Sequence, residues 1–232
     1  MSIFLIELAL KERANAFVQL EKQIDEFKPL PLDAFQDKWQ QMWDQMRPLN
    51  VGMSDEDLKR FIDSQISEGY SDQWQLINTF IQPFSAEAVA ITMLSHALVE
   101  ATINAVLADA LGYIGKPSLF LILDKASVKD KWTIGPQSFL SNYAFTKSDA
   151  LFERLSTLCQ RRNGYAHSKI TLLDEGNKTI VSGTNPSISF SKQQRKLLHR
   201  FLSLPYELHQ NLLKQIEDRS LRFRLKHILR KV

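Results

Sequence analysis

The segment from Ser85 to Leu111 is the longest part of the chain in which nothing interrupts a helical pattern, and Gly112 follows it directly. Its apolar residues recur at intervals of three and four, which predicts one long α-helix that ends at the glycine. The 232 residues include only 8 glycines and 8 prolines. A β-sandwich or barrel needs many more tight turns than these residues supply. The sequence therefore predicts a mainly all-α fold.

Shorter segments of the chain show the same periodicity and predict further helices in a single domain, residues 1–232. The predicted helices cover residues 3–27, 32–46, 54–66, 74–81, 124–132, 148–167, 191–204 and 205–230. Ser54 and Ser148 are predicted to cap two of them, because a serine oxygen can accept a free amide of the first turn. One small β-hairpin is predicted near residues 170–182, with its turn at residues 175–177.

The charge of the chain is unevenly distributed, although the net charge is only +3. Residues 161–232 hold 15 Lys and Arg against 5 Asp and Glu, whereas residues 1–160 hold 14 against 21. A basic segment suits a phosphate-binding surface, because contacts with phosphates release condensed counterions. An acidic part and a basic part can also attract each other within the fold or across a dimer. The sequence leaves both interpretations open.

Several classes of chemistry lack their residues in this sequence. Cys159 is the only cysteine, so an intrachain disulfide and a zinc thiolate cluster are excluded, and a reducing, cytoplasmic location is expected. Neither an HExxH helix, a glycine-rich phosphate loop nor a GxSxG elbow is present. We therefore expect no metal and no cofactor. No apolar run approaches the 18 or more residues of a membrane span, so no membrane association is expected.

Two polar residues interrupt the apolar stripe of the long central helix. The stripe consists of Val89, Met93, His96, Glu100, Ile103, Leu107 and Ala110. His96 and Glu100 lie on adjacent turns of one face, and a buried charge without a partner is costly. Three interpretations are open: a structural ion pair, a glutamate at the end of a groove, or part of a functional site.

The predicted helix over residues 148–167 changes character near its end. Its stripe begins with Leu151, Phe152, Leu155, Leu158 and Cys159, and continues through Arg162, Asn163, Ala166 and His167. Apolar positions thus give way to polar ones on a single face. Structural roles for these residues are a buried partner of Glu100 for Arg162, and a satisfied core histidine or a helix cap for His167.

The run from Arg162 to His167 resembles the signature of HEPN domains, a family of small α-helical domains. That signature is an Arg followed after four to six residues by a His, commonly with a polar residue directly after the Arg, the place that Asn163 fills here. Glu100 and the Lys131–Trp132 pair also resemble family positions. The resemblance covers roughly residues 85–232 and implies a HEPN-like helical bundle, to which residues 1–84 add accessory N-terminal helices.

Resemblance to the catalytic members implies a metal-independent endoribonuclease that works as a homodimer, with both copies of the motif in one cleft. His167 suits proton transfer and Arg162 suits stabilisation of charge on the phosphorane when the 2′-hydroxyl of RNA attacks. Asn163 would bind the phosphate or hold the histidine ring. Glu100, with His96 on the adjacent turn, would orient Arg162 or His167 without contacting the RNA.

The same resemblance leaves two classes of function open. One is a ribonuclease, such as a toxin or defence effector that an antitoxin or another regulatory protein keeps silent. The alternative is a non-catalytic HEPN module that dimerises and binds RNA, a nucleotide or a protein. The intact Arg, Asn and His favour the ribonuclease.

Cations near the C-terminus are the predicted source of RNA affinity outside the motif. Residues 219–232 contain six Lys and Arg and no acidic residue. The predicted RNA-binding residues are Arg161, Arg219, Arg222, Arg224, Lys226 and Arg230. A solvated helix face or a dock for an acidic partner would have the same composition.

Overall fold

The structure, a computed structural model, describes residues 2–46, 54–166, 171–172, 179–180 and 192–229. The all-α prediction is confirmed. The helices are α1 (Ile3–Asp25), α2 (Leu32–Met46), α3 (Asp55–Gly69), α4 (Asp72–Tyr113), α5 (Ser118–Leu123), α6 (Val128–Thr133), α7 (Ala150–Ala166), α8 (Lys192–Lys214) and α9 (Arg219–Leu225). A 3₁₀ turn at Gly135–Ser138 follows α6.

A two-stranded antiparallel pair lies where the hairpin was predicted. Strand β1 (Thr171–Leu172) pairs with β2 (Thr179–Ile180), with Thr171 opposite Ile180 and Leu172 opposite Thr179. The predicted turn at residues 175–177 lies outside the described residues.

The hydrogen bonds at the first turns of α3 and α7 show whether Ser54 and Ser148 cap these helices as predicted. At α3 the cap is confirmed, because the Ser54 hydroxyl accepts the Asp57 amide at 3.2 Å. At α7 the prediction is wrong. The Ser148 hydroxyl lies 2.8 Å from the Thr146 hydroxyl, and the helix begins at Ala150 with the Asp149 carbonyl accepting its first amides.

Segments predicted as separate helices are joined in two places, 74–81 with 85–111 and 191–204 with the start of 205–230, and each joined helix contains a proline. The rest of the predicted helix 205–230 is interrupted, since α8 ends at Lys214 and α9 begins at Arg219. Pro83 lies within α4 and Pro205 within α8. A proline in a helix interior removes one backbone hydrogen bond and costs about 3 kcal/mol. Burial of the neighbouring turns offsets this cost, since Phe84 and Leu204 are fully buried. The predicted segments 74–81 and 85–111 are therefore one helix.

The chain divides into two compact units, residues 18–84 and residues 1–17 with 85–232. Residues 1–17 belong to the larger unit, where Ile6 and Leu10 pack with Leu98 and Leu229 in one apolar cluster.

In the larger unit, α4 supplies much of the core. Ile103, Leu107 and Ala110 of the predicted stripe are buried, whereas Met93 is 37% exposed, so its place in that stripe is wrong. Helix α4 also buries residues outside the stripe, Val99 among them. A helix that neighbours surround on several sides shows no single apolar face, which is why the stripe was only partly right.

A bidentate ion pair joins helices α7 and α8 of the larger unit. Arg154 of α7 donates to both carboxylate oxygens of Glu207 at 2.5 and 2.9 Å, and to the Arg200 carbonyl at 2.8 Å. Paired donation of this kind fixes the relative position of the two groups. It therefore helps to hold α7, which carries the motif, against α8.

The smaller unit has an aromatic interior. Phe27 lies edge-on to Phe80 with ring centroids 5.5 Å apart. Gln75 forms two hydrogen bonds with the backbone of Leu30, which ties the start of α4 to the segment before α2. Phe35 is buried.

One stretch of α4 has the length and hydropathy of a membrane span, and it covers Gln75–Tyr113. Half of its most apolar window is buried within the protein. The core helix of a soluble protein meets the same criteria, so the stretch is weak evidence for a membrane.

Candidate functional site

Arg162 and Asn163 lie in the last turn of α7. Arg162 is partly exposed, and its Nη1 donates to Asn163 Oδ1 at 3.2 Å. Within the described part of the chain, Arg162 forms no ion pair with a carboxylate. His167, the third residue of the predicted catalytic set, lies outside the described residues. The structure therefore describes two of the three residues in that set.

His96 and Glu100 lie one turn apart on α4. The distance from His96 Nδ1 to Glu100 Oε2 is 4.0 Å. The imidazole is 11% exposed and the glutamate side chain 43% exposed. The structure thus brings together the two polar residues of the predicted stripe, with the histidine inside and the carboxylate reaching solvent.

Electrostatics join this α4 pair to the motif on α7. Burial is the main cause that lowers the pKa of His96; the charge of Glu100 opposes it and the charge of Arg162 adds to it. Arg162 is therefore near enough to act on the imidazole. We call His96, Glu100, Arg162 and Asn163 the α4–α7 polar cluster.

Cys159 lies one turn before Arg162 and is buried. Burial raises the pKa of its thiol, the charges of Lys129 and Arg162 lower it, and that of Glu100 raises it. Since burial dominates, the sulfur stays protonated near neutral pH. This agrees with a packing role and not with a nucleophile.

Glu100 does not act as the buried partner that was considered for Arg162. The two side chains form no ion pair, and Glu100 has His96 as its near neighbour. The guanidinium is held by an uncharged amide instead. Arg162 consequently lies at a partly exposed position with no carboxylate partner among the described residues.

Lys131 and Trp132 are structural in this fold. The Lys131 ammonium is buried and lies 3.6 Å from Asp124 Oδ1. The indole of Trp132, which is fully buried, donates to the Val99 carbonyl of α4 at 3.3 Å. Since Val99 adjoins Glu100, the pair anchors α6 beside the cluster without joining it.

The cations of α9 fall into two groups, and the first is engaged in the fold. Arg224 donates to both oxygens of Asp109 at 2.6 and 3.2 Å, and its guanidinium lies 5.7 Å from the centre of the Tyr113 ring. Arg222 donates to the Ile216 carbonyl. The sequence does not indicate Asp109 as a partner of Arg224, because 115 positions separate the two residues.

The second group of cations forms no ion pair among the described residues. Arg219 is exposed at the start of α9, Lys226 is exposed just after its last residue, and Arg161 of α7 is partly exposed. Arg230 lies outside the described residues. Of the predicted RNA-binding residues, the described ones that remain available for phosphate are therefore Arg161, Arg219 and Lys226.

A metal site has no ready ligands in the described ranges. They contain no group of three or more His, Cys, Asp or Glu side chains that could hold a metal ion.

Two buried histidines predict how stability depends on pH. Burial lowers the pKa of His96 and of His209, whose Nε2 lies 3.0 Å from the Leu225 carbonyl. Unfolding returns both to the ordinary value of 6.5, so the unfolded chain binds more protons below that pH. The free energy of unfolding should therefore fall as pH decreases through 6.5.

Urea unfolding at about pH 7.5 and pH 5.5 measures this effect. His209→Gln, which keeps a hydrogen-bond donor, should reduce the loss at the lower pH. The matched control is His227→Gln, at an exposed position two residues after the end of α9. This variant should show the same loss of stability at the lower pH as wild type. Equal losses in wild type and in His209→Gln would contradict the assignment of this pH dependence to His209.

Comparison of the chain with protein-family models, with curated proteins and with solved structures found no match.

Proposed function

We propose that this protein is a metal-independent endoribonuclease of the HEPN type. The observation that supports it best is the state of Arg162, a partly exposed guanidinium that has no acidic partner among the described residues and that Asn163 holds in place. An arginine in this state is suited to a phosphate, whose oxygens accept two parallel hydrogen bonds from a guanidinium.

In the proposed reaction, the 2′-hydroxyl oxygen of RNA attacks the adjacent phosphorus while the bond to the 5′-oxygen of the next nucleotide breaks. His167 accepts the proton of the 2′-hydroxyl, and the His167 of a second protomer donates a proton to the leaving oxygen. Arg162 stabilises the negative charge of the phosphorane. The products are a 2′,3′-cyclic phosphate and a 5′-hydroxyl end.

The other members of the α4–α7 polar cluster position these groups. Asn163 accepts a hydrogen bond from Arg162 Nη1 and so limits the rotation of the guanidinium. His96 is buried with a lowered pKa, so near neutral pH it adds no positive charge that would repel Arg162. Glu100 orients the imidazole from its exposed side.

The proposal includes the setting in which the enzyme works. It acts in the cytoplasm as a homodimer, needs no cofactor, and its substrate is RNA. An endoribonuclease of this kind acts as a toxin or a defence effector, and an antitoxin or other regulatory protein keeps it inactive. In the non-catalytic alternative, Arg162 binds the same phosphate but the RNA is not cut. The partly exposed guanidinium is compatible with both the ribonuclease and the binding module.

A cleavage assay separates these two functions. Purified protein should cut total RNA in the presence of EDTA and leave cyclic phosphate ends. A single deoxyribose immediately upstream of a mapped cut should abolish cleavage at that site, because it removes the nucleophile. RNA that is bound but stays intact would favour the non-catalytic module. Cleavage of the deoxy-substituted site would exclude the proposed mechanism.

The exposed cations of α9 predict a change in the salt dependence of RNA binding. The double variant Arg219→Ala, Lys226→Ala should bind RNA more weakly, and the slope of log affinity against log salt should decrease by about 1.4, since each phosphate contact with a single strand contributes about 0.7. Binding is measured with 2′-O-methyl RNA, which cannot be cleaved. The control is Arg224→Ala, because that residue already pairs with Asp109. An unchanged slope in the double variant would show that α9 makes no phosphate contacts.

A further inference from the structure

A pocket in the smaller unit lies between α2 and the start of α4. Each helix contributes three residues at spacings of three and four, which place them on one helix face. They are Phe35, Lys38 and Trp39 of α2, and Gln75, Asn78 and Thr79 of α4. The pocket has a volume of about 620 Å³, within the range of about 300 to 1,000 Å³ that is usual for small-molecule sites. We call it the α2–α4 pocket.

One wall of this pocket is fixed by hydrogen bonds within the fold. Gln75 Oε1 accepts the Leu30 amide at 2.9 Å, and Gln75 Nε2 donates to the Leu30 carbonyl at 3.2 Å. The Thr79 hydroxyl donates to the Gln75 carbonyl at 2.8 Å. These bonds shape the pocket before a ligand arrives, which lowers the cost of ordering it on binding.

Trp39 supplies an aromatic surface to the α2–α4 pocket. Its side chain is partly exposed, and its indole is tilted by 64° from the ring of the buried Phe35, with ring centroids 6.2 Å apart. Phe35 therefore does not stack flat on the indole. Leu30, which is 37% exposed, adds aliphatic surface to the same pocket. A planar ligand ring can pack on the exposed part of the indole, as nucleobases do on aromatic side chains.

Two exposed polar side chains of the pocket are available to a ligand. Lys38 and Asn78 are exposed, and neither side chain forms a hydrogen bond or an ion pair within the described part of the chain. The asparagine amide offers a donor next to an acceptor, and the ammonium offers three donors and a positive charge. None of the described lining residues is acidic, so an anionic group would meet Lys38 without repulsion from the pocket wall.

These groups together define the class of ligand. We propose that the α2–α4 pocket binds one nucleotide, whose base packs on Trp39 and pairs with the Asn78 amide, and whose phosphate contacts Lys38. The edges of the bases carry donors and acceptors that an amide can pair with. A hydrogen bond from an ammonium to a phosphate is strengthened by the charges. The same chemistry is offered by a free nucleotide and by one unit of a single-stranded RNA.

Calorimetric titration with adenosine 5′-monophosphate tests the proposal on the full-length protein. Wild type should bind this nucleotide. Adenosine lacks the phosphate, ribose 5-phosphate lacks the base, and phenyl phosphate has a ring without the hydrogen-bonding edge. Each should bind at least about fivefold more weakly, because each loses one of the three proposed contacts.

Three variants of the pocket should lose affinity for adenosine 5′-monophosphate by at least about fivefold, the effect of one lost contact. Trp39→Leu removes the aromatic surface, Lys38→Gln removes the charge, and Asn78→Asp replaces the amide donor with a negative charge. The matched control is Lys59→Gln. Lys59 is exposed on α3 of the same unit and does not line the pocket, so this variant should bind as wild type does.

A short oligomer of 2′-O-methyl adenylate, which cannot be cleaved, distinguishes the two sources of the nucleotide. If Trp39→Leu weakens binding of both the oligomer and the mononucleotide, the site takes a nucleotide from a strand. If it weakens binding of the mononucleotide alone, the site takes a free nucleotide.

Three results would overturn the proposal: no binding of adenosine 5′-monophosphate to wild type at millimolar concentration, equal binding of ribose 5-phosphate, or unchanged affinity in the Lys38→Gln and Asn78→Asp variants. Thermal melts establish that the variants are folded. If Trp39→Leu melts at a much lower temperature, the two substitutions at exposed positions decide. None of these measurements involves cleavage, so their failure would leave the proposed ribonuclease unaffected, and the reverse also holds.

Discussion

Substitution of His167 by alanine should lower the rate of RNA cleavage by about two to four orders of magnitude, the range that a positioned general acid or base contributes. The expectation follows from the proposed proton transfer at the end of the Arg162 to His167 motif. Melting temperature and mass in solution should stay those of wild type. The rate is measured on a defined RNA that contains one mapped cut.

Arg162→Ala is the companion variant. Given the position of Arg162 in the structure, we expect this variant to lose activity without losing stability. If Arg162 were the buried partner of Glu100, its removal would leave an uncompensated charge and destabilise the fold. Arg162 is partly exposed and pairs only with the Asn163 amide in the described part of the chain. Cleavage should therefore fall while the free energy of unfolding changes by about 0.5 kcal/mol or less.

Mixing the two inactive variants tests the shared cleft. Each homodimer lacks one side-chain type entirely, whereas a mixed dimer of Arg162→Ala and His167→Ala retains one Arg162 and one His167. The mixed dimer has one His167 as the base and none as the acid, so water must protonate the leaving oxygen. Activity should therefore exceed that of either inactive homodimer but stay well below wild type after the two proteins are mixed and allowed to exchange subunits. A monomeric mass by light scattering, or full cleavage by well-folded His167→Ala, would contradict the composite site.

Trp132→Ala should have the largest effect on stability, with a loss of about 3 to 5 kcal/mol in the free energy of unfolding. The indole is fully buried, and its Nε1 donates to the Val99 carbonyl at 3.3 Å. Alanine would leave a cavity between α6 and α4 and remove that hydrogen bond. Urea unfolding followed by circular dichroism measures the loss.

The control for this substitution is Ile134→Ala, just beyond α6. Ile134 is 56% exposed, so its truncation should cost about 0.5 kcal/mol or less. A loss of under about 1 kcal/mol for Trp132→Ala would mean that α6 does not depend on the indole for its packing. Because Val99 adjoins Glu100, cleavage by this variant should be compared with wild type at a temperature where both are folded.

Local features of the sequence predicted the secondary structure well where neighbouring residues determine it. Helix α2 begins and ends where predicted, at Leu32 and Met46, and Ser54 caps α3 as its position before a helical segment indicates. Helical periodicity and capping depend on residues a few positions apart, so the chain itself contains this information. The pairing of His96 with Glu100, one turn apart, belongs to the same class.

Contacts between residues far apart in the sequence determined the continuity of two helices and the pairing of the basic C-terminal segment. Tertiary burial around Phe84 and Leu204 keeps α4 and α8 continuous through prolines that end helices in isolation. Arg224 forms an ion pair with Asp109, 115 positions away. The basic segment over residues 219–232, which the sequence presents as free cations, is therefore partly neutralised. Burial and ion pairing are properties of the packed chain, and a linear pattern contains neither the distance between two helices nor the loss of water around a side chain.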